Sequence, residues 1–294
     1  MTSEHALPYS LVKDDDLPTL VMKVVGSRPT TLTPLSGGMF GTIHRATFTD
    51  GEDVVVKHNP DEDSRLDIEA EMLRALRLPD VIRVPDVLFA SPNLLVLEFL
   101  PGGHLQPAAH ADAGRHLARL HQVTADRAGL GGTTLNGTIE LPSPWTDSWI
   151  AFYREHRLRF SAAIAAPRLL AGFSERIERL AECLDSILIE PDACSLLHGD
   201  VWAANVLSSG DRVTGFIDPS TCYGDPEMEL AYATVFGDLG DDFLDAYAAI
   251  RPLASGFRER RAPVYAVYPA LVHVHYFGDR FMPTLDRLLT ESGV

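Results

Sequence analysis

The pattern of hydrophobic positions changes character at about residue 100. Before that point, apolar residues alternate with polar ones or come in short runs, a spacing typical of β-strands. We predict strands at residues 31–35, 43–48, 52–57, 81–90 and 93–100. An Asp-Gly pair between the second and third runs is typical of a hairpin turn. Residues 64–78 instead place their apolar side chains on one helical face, which predicts a helix that ends at Pro79.

Beyond Pro101-Gly102-Gly103 the spacing becomes helical. We predict helices at residues 108–122, 145–160, 168–189, 227–235, 238–250 and 264–289. Only three further strands are expected, all between residues 195 and 218. The pattern predicts an α+β fold of two lobes: a small β-rich lobe of residues 1–100 and a larger, mainly helical lobe of residues 101–294. The cleft between two such lobes is the expected ligand site.

Composition narrows the class of protein. The 294 residues carry 25 Lys and Arg against 41 Asp and Glu, a net charge of −16. So negative a chain argues against nucleic acid or an anionic membrane as a partner, since both need a positive field. Three cysteines without CxxC spacing indicate reduced thiols, and the amino-terminal residues lack a signal-peptide pattern. We therefore expect a soluble, cytoplasmic protein that is a monomer or a weak homodimer.

The strongest chemical signal lies in residues 197–219. Asp200 follows His198-Gly199, Asn205 comes five residues after Asp200, and Asp218 ends an apolar strand thirteen residues further on. Phosphoryl transfer needs this set: a carboxylate to accept the proton of the attacking hydroxyl, and an amide and a second carboxylate to hold Mg²⁺. The D-x-x-x-x-N spacing is that of a kinase catalytic loop. The plain alternative is that Asp200 and Asn205 are ordinary turn residues.

Lys57 closes the apolar strand VVVK and is one of only three lysines in the chain. A lysine at this place in a kinase-like lobe would contact the phosphates of ATP and be held by a glutamate of the following helix. Glu69 is the predicted partner and Glu71 the alternative, because two residues so spaced on a helix cannot both face Lys57 easily. A solvated lysine at a strand end is the plain alternative.

Two weaker signals concern the nucleotide. Gly37 and Gly38 lie between two predicted strands, where glycines allow backbone amides to approach phosphate oxygens. Glu98 and Leu100 end the first lobe, where backbone groups could bind adenine. Many strand turns contain glycine pairs, however, and side chains before a hinge mostly pack. Trp202 lies within the predicted catalytic loop, where a sugar could stack on its indole or the ring could simply be packed.

Longer motifs in the chain resemble a known family. The segments LLHGDVWAANVL and FIDPSTCYGDPEMELA, together with VVVKHN, LVLEFL and the closing LVHVHYFGDRF, are similar to the fructosamine kinase or ketosamine-3-kinase family. That resemblance implies a protein-kinase-like fold of the aminoglycoside-phosphotransferase type. It also implies phosphorylation by ATP of the sugar 3-hydroxyl of a ketosamine, either a small molecule or a glycated protein lysine, which is a deglycation repair activity.

The resemblance also assigns roles by position. It implies that Asp200 is the catalytic base, that Asn205 and Asp218 bind Mg²⁺, and that Lys57, held by Glu69, contacts the phosphates of ATP. A carboxylate such as Asp225 could attract the ammonium of the substrate, although an acidic residue at a helix start is as well explained by the helix dipole.

The chain also departs from the family pattern. It carries Ala203-Ala204 where relatives commonly have Ser-Gly or Gly-Gly, which could narrow the conformations of the loop. The alternatives that remain are another small-molecule kinase of the same fold, acting on an aminoglycoside, choline or a thiosugar, and a non-catalytic pseudokinase that only binds nucleotide.

Overall fold

The computed structural model describes residues 16–35, 41–61, 63–236 and 239–294. The strands are β1 (Thr31–Pro34), β2 (Thr42–Thr47), β3 (Val54–His58), β4 (Val87–Ala90), β5 (Leu94–Glu98), β6 (Gly103–His104), β7 (Thr124–Ala125), β8 (Gly132–Asn136), β9 (Ile139–Ser143), β10 (Cys194–Leu197), β11 (Val206–Ser209), β12 (Arg212–Phe216) and β13 (Cys222–Gly224). The helices are α1 (Leu17–Val25), α2 (Leu66–Arg77), α3 (His110–Leu120), α4 (Trp149–Tyr153), α5 (Phe160–Ala165), α6 (Phe173–Ile187), α7 (Pro226–Val235), α8 (Asp241–Ala248), α9 (Ala262–Phe277) and α10 (Met282–Glu291).

The amino-terminal region is a five-stranded antiparallel sheet in the order β1-β2-β3-β5-β4. Side chains on a strand point alternately to the two faces. On β3, Val54 and Val56 pack in the cluster that contains Leu20 and Val21 of α1. Val55 packs in the other cluster, which contains residues of α2. The same alternation directs Lys57 toward α2.

Most predicted elements of this region are confirmed, with two corrections. Residues 16–25, for which no element was predicted, contain α1: Asp16 accepts a hydrogen bond from the Thr19 amide at 2.9 Å, and Pro18 lies in the first turn. The strand predicted at residues 81–90 is confined to β4. The preceding backbone instead contacts the other region, because the Arg83 carbonyl accepts a hydrogen bond from the Phe216 amide at 2.8 Å.

The carboxy-terminal region is helical around two small antiparallel sheets, ordered β13-β10-β7 and β12-β11-β6. The helix α9 crosses its core, and 12 of its 16 residues are buried. The long helix predicted at residues 264–289 is in fact α9 and α10, separated at Gly278, whose φ of 61° ends α9. Within the described residues, we find no helix whose length and apolar character would suffice to cross a membrane.

The prediction of only three strands in this region was wrong, and the hairpin β8–β9 is the clearest omission. Asn136 pairs with Ile139, leaving Gly137 and Thr138 as a two-residue turn in which Gly137 has a φ of 61°. The hairpin connects the two regions of the molecule. Leu135 packs against α2, and the Tyr276 hydroxyl of α9 accepts a hydrogen bond from the Thr138 amide at 2.9 Å.

Candidate active site

Lys57 lies between two carboxylates that come from different parts of the chain. Its ammonium is 2.6 Å from Oε1 of Glu69 on α2 and 2.5 Å from Oδ1 of Asp218, which follows β12. The predicted pairing of Lys57 with Glu69 is thus confirmed. Glu71 lies instead beside a separate small cavity. Burial disfavours the charged ammonium, but the two carboxylates outweigh this effect and hold the pKa of Lys57 above its ordinary value.

The loop that carries Asp200 requires glycine at position 199, because of both its backbone conformation and the space around it. Gly199 has a φ of 86°, and a Cβ added there would lie 1.9 Å from the carbonyl oxygen of Ser220. The Ser220 amide also donates to the His198 carbonyl at 2.8 Å. The segment after Asp218 therefore packs directly against the loop, and this close approach fixes where Asp200 lies.

Glu229 of α7 anchors the same loop from behind. Its carboxylate accepts hydrogen bonds from the amides of His198 at 3.2 Å and Gly199 at 2.5 Å. The ring of His121, at the end of α3, contacts the same carboxylate at 2.8 Å and the Tyr247 hydroxyl at 2.8 Å through its other nitrogen. Burial lowers the pKa of His121 despite this carboxylate, so the ring is neutral.

The carboxylate of Asp200 accepts hydrogen bonds from two other side chains. The Asn205 amide nitrogen donates to its Oδ2 at 2.8 Å, and the hydroxyl of Tyr232 on α7 donates to the same side chain. Burial raises the pKa of Asp200 to about 7, an effect that these donors reduce and the nearby charge of Asp218 increases. Such a carboxyl can accept a proton near neutral pH, as a general base must.

Asn205 and Asp218 lie side by side. The Asn205 amide nitrogen is 3.4 Å from the Asp218 carbonyl oxygen, and the Ile217 amide donates to the Asn205 carbonyl at 2.9 Å. Asp218 has a φ of 55°, one of two non-glycine residues in the described chain with a positive φ. A non-glycine residue in this conformation is strained and is often found at a functional site.

The side-chain oxygen atoms of Asn205 and Asp218 fit a hard divalent cation. The amide nitrogen of Asn205 faces Asp200, so its Oδ1 is the atom left to bind a cation, together with the carboxylate of Asp218. Both are oxygen ligands of the kind Mg²⁺ prefers. In the described residues no group of three His, Cys, Asp or Glu side chains could hold a metal by itself. Such an ion would therefore need further oxygen ligands, which nucleotide phosphates supply.

Ala203 and Ala204 do not distort the loop. Neither has a positive φ, so this turn does not require glycine at either position. The Ala203 carbonyl accepts from the Leu105 amide at 2.9 Å, and the Ala204 carbonyl lies 3.2 Å from Nδ1 of His104. Both alanines thus connect the loop to the segment that follows β5.

These residues face one large cavity of about 1050 Å³ between the sheet region and the helical region. Lys57, Glu69, Asp200, Asn205 and Asp218 all line it, as the sequence predicted. Trp202 also lies in its wall, and 41 % of the residue is exposed. Its ring is therefore available to a ligand rather than packed in the core.

Other candidates from the sequence lie elsewhere. Asp225 is buried at the start of α7, where it caps the helix and accepts a hydrogen bond from the Tyr265 hydroxyl at 2.8 Å, so its position favours the helix-start alternative. Glu98 pairs with Arg83, and the Leu100 side chain packs on Gly215. None of these candidates is among the described residues that line the cavity. Gly37 and Gly38 fall outside the described residues.

Sequence reasoning missed three contributors to the site. Tyr232 and Glu229 both lie on α7, and their role depends on tertiary contacts that neither residue type nor spacing reveals. The tip of the β8–β9 hairpin also lines the cavity through Asn136, Gly137 and Thr138. Here a signal existed, because a glycine that opens a two-residue turn between two β-rich runs indicates a hairpin.

Comparison with known proteins agrees with this geometry. Residues 20–292 match the family described as fructosamine kinase. A Synechocystis protein named as a probable ketoamine kinase is 32 % identical over 231 residues, which are 76 % of this chain and 77 % of that protein. A Thermobifida fusca crystal structure, described provisionally as a fructosamine-3-kinase, has a TM-score of 0.83 at 28 % identity and covers 94 % of this chain and 98 % of its own.

A more distant structure shares the fold alone. An aminoglycoside phosphotransferase solved with AMP-PNP and hygromycin B has a TM-score of 0.65 at 16 % identity, covering 95 % of this chain and 97 % of its own.

Fold and comparisons together define the class of protein. The chain is a phosphotransferase with the two-lobed, protein-kinase-like α+β fold, a fold that implies the use of ATP. It belongs to the fructosamine kinase family, as its motifs indicated. The division of the lobes at residue 100 stays a prediction.

Proposed function

We propose that the protein transfers the γ-phosphoryl group of ATP to the sugar 3-hydroxyl of a ketosamine, an amine glycated by a sugar. The observation that carries the proposal is the meeting of Lys57, Asp200, Asn205 and Asp218 at one cavity, although they are spread over 161 positions of the chain. Family membership and relatives named for ketoamine and fructosamine substrates support this choice of acceptor. Because the 3-phosphate of a ketosamine is unstable and releases the amine, the reaction would repair glycation.

Asp200 would act as the general base. Its carboxylate accepts the proton of the 3-hydroxyl while the hydroxyl oxygen forms a bond to the γ-phosphorus of ATP. The bond between that phosphorus and the bridging oxygen breaks, and ADP leaves with the electron pair. The Tyr232 and Asn205 hydrogen bonds orient the carboxylate, which lets it meet the hydroxyl without reorganisation.

Lys57 would position the phosphates of ATP. Its ammonium is held by Glu69 from α2, so its location is fixed before the nucleotide binds. Asn205 and Asp218 would hold Mg²⁺, which neutralises phosphate charge when it is bound. Asp218 contacts both Lys57 and Asn205. It therefore connects the side chain proposed to bind the phosphates with the one proposed to share Mg²⁺.

A panel of acceptors tests the proposal. ADP release is measured with Mg-ATP and either N-fructosyl- or N-ribulosyl-ethylamine, and with kanamycin and choline for comparison. We expect turnover with at least one glycated amine and none with kanamycin or choline. Turnover of only kanamycin or choline would show that the acceptor is not a ketosamine. ATP binding without transfer to any acceptor would support a pseudokinase.

A further inference from the structure

A continuous series of aromatic rings begins at Asp200 and runs along one wall of the cavity. Tyr232, which hydrogen-bonds Asp200, stacks on Phe236 with ring centroids 5.9 Å apart and planes 23° apart. Phe236 stacks on His273 at 5.0 Å and 18°. His273 lies 4.6 Å from the ring of Phe281. All these residues line the cavity. We call this series, completed by Phe277, the aromatic wall.

Phe277 places the outer end of the aromatic wall in solvent. Its ring lies 5.5 Å from that of Phe281 and 5.8 Å from that of His273, and 43 % of the residue is exposed. His273 adds no charge to the wall. Its Nδ1 donates to the Pro269 carbonyl at 2.7 Å, and burial lowers the pKa of the ring. The wall therefore offers a neutral, largely apolar surface from the catalytic base to the cavity mouth.

The lysine and arginine side chains among the described residues that line the cavity are already paired with carboxylates. Within its described lining, the two fixed cations are Lys57 and Arg65. Lys57 is paired with Glu69 and Asp218, as described above. Arg65 is paired with Asp67 at 3.3 Å and with Glu140 at 3.3 Å. The same lining carries further acidic residues, Asp61 and Asp63. A ligand with a carboxylate would be repelled there, whereas a ligand ammonium would be attracted.

The chemistry of a ketosamine decides what meets the aromatic wall. Its nitrogen is bonded to C1, two carbons from C3, whose hydroxyl must reach Asp200. The substituent on nitrogen therefore starts close to Asp200, where the wall begins. We propose that the aromatic wall binds this substituent and selects ketosamines of apolar or aromatic amines without a carboxylate over ketosamines of free amino acids. This inference rests on the proposed function and adds to it the class of amine.

Three matched substrates test the inference. N-fructosyl-phenethylamine differs from N-fructosyl-phenylalanine only by lacking a carboxylate, and from N-fructosyl-ethylamine only by the ring. We expect kcat/KM for the phenethylamine derivative to exceed that for each of the other two by about tenfold, a ratio that corresponds to roughly 1.4 kcal/mol. Equal values for phenethylamine and phenylalanine derivatives, or for phenethylamine and ethylamine derivatives, would overturn the inference.

A variant pair locates the preference on the wall. Phe277→Ala should lower kcat/KM for the phenethylamine derivative about tenfold more than for the ethylamine derivative. Leu170→Ala removes another exposed apolar side chain, one outside the cavity lining, and should leave the ratio unchanged. A Phe277→Ala variant that slows both substrates equally would contradict the inference. Failure of the wild-type protein to phosphorylate any ketosamine would overturn the proposed function instead.

Discussion

The ammonium of Lys57 lies 2.5 Å from the carboxylate of Asp218, a residue 161 positions further along the chain. This contact joins a strand of the sheet region to the segment after β12, and both residues line the cavity. The neighbouring Glu69 holds Lys57 from the other side. The phosphate-binding site proposed here thus depends on a buried lysine and two half-buried carboxylates, which the fold assembles from three separate segments.

Replacing the proposed base should abolish turnover and spare nucleotide binding. Asp200→Asn keeps the size of the side chain and removes its capacity to accept a proton, so kcat should fall by roughly 10²–10⁴. The dissociation constant of ATP, measured by titration calorimetry, should change less than about threefold, a difference below 1 kcal/mol. Near-wild-type turnover in this variant would show that Asp200 is not the base.

Replacing the buried lysine should weaken the interaction with ATP. In Lys57→Met the carboxylates of Glu69 and Asp218 lose the cation between them, and the phosphates lose a charged donor. Loss of a charged hydrogen bond corresponds to roughly 10- to 100-fold, which should appear in kcat/KM for ATP. Lys23→Met is the control, because Lys23 lies on the exposed surface of α1. An effect of the same size in both variants would argue against a specific role for Lys57.

The close approach at Gly199 predicts a sharp loss of stability when a methyl group is added. In Gly199→Ala the new Cβ would overlap the Ser220 carbonyl oxygen and the φ of 86° would be strained, which together should cost about 3 kcal/mol. Gly172 has the same φ of 86°, but a Cβ there would meet nothing within 4 Å. Gly172→Ala should therefore cost only about 1 kcal/mol. Urea unfolding of the two variants compares the costs, and equal values would mean that the loop can relax away from Ser220.

Buried neutral histidines predict that the protein loses stability in mild acid. Burial holds the pKa of His121 and of His198 below the ordinary value of 6.5, so the unfolded chain binds protons that the folded chain does not. The contribution of the two neutral histidines to the free energy of unfolding is complete above pH 6.5. It is lost as the pH falls toward the pKa in the folded state, by about 1.4 kcal/mol for each unit by which folding lowers the pKa.

His121→Gln isolates one of these groups. This variant should show a smaller fall in Tm between pH 7 and pH 5.5 than the wild type, although it is less stable at pH 7 because it loses the contacts with Glu229 and Tyr247. Thermal unfolding monitored by circular dichroism across this range gives both values. Parallel profiles for the two proteins would mean that His121 does not titrate on unfolding in this range.

The sequence allowed the residues that meet at the cavity to be predicted because their chemistry and their spacing are both local. The Asp200–Asn205 interval is that of one loop, and the alternation of β3 directs Lys57 toward the helix that carries Glu69. The positive φ of Asp218 could not be predicted, since the close packing of Ser220 against Gly199 just after it is a tertiary contact. Asp225 was considered a substrate carboxylate for its charge, whereas its burial against Tyr265 is a tertiary property.

The aromatic wall illustrates the same difference between local and tertiary information. Tyr232 of α7 and Phe236, which directly follows α7, are four residues apart, a spacing that the sequence does contain. The stacking of Phe236 on His273 requires α7 to pack against α9, and the approach of Phe281 to His273 requires the chain to bend at Gly278. Helical patterning predicted one unbroken helix there, and a single straight helix would not bring these rings together in the same way.

The position of the transferred phosphate tests the central claim most directly. The product formed from N-fructosyl-ethylamine and Mg-ATP is examined by ³¹P NMR with correlation to protons. The proposed transfer to the 3-hydroxyl, with Asp200 as the base, predicts a new phosphate ester coupled to the proton on C3 of the sugar, absent with Asp200→Asn. A phosphate on any other carbon, or conversion of ATP to ADP with neither an ester formed nor ethylamine released, would contradict the account.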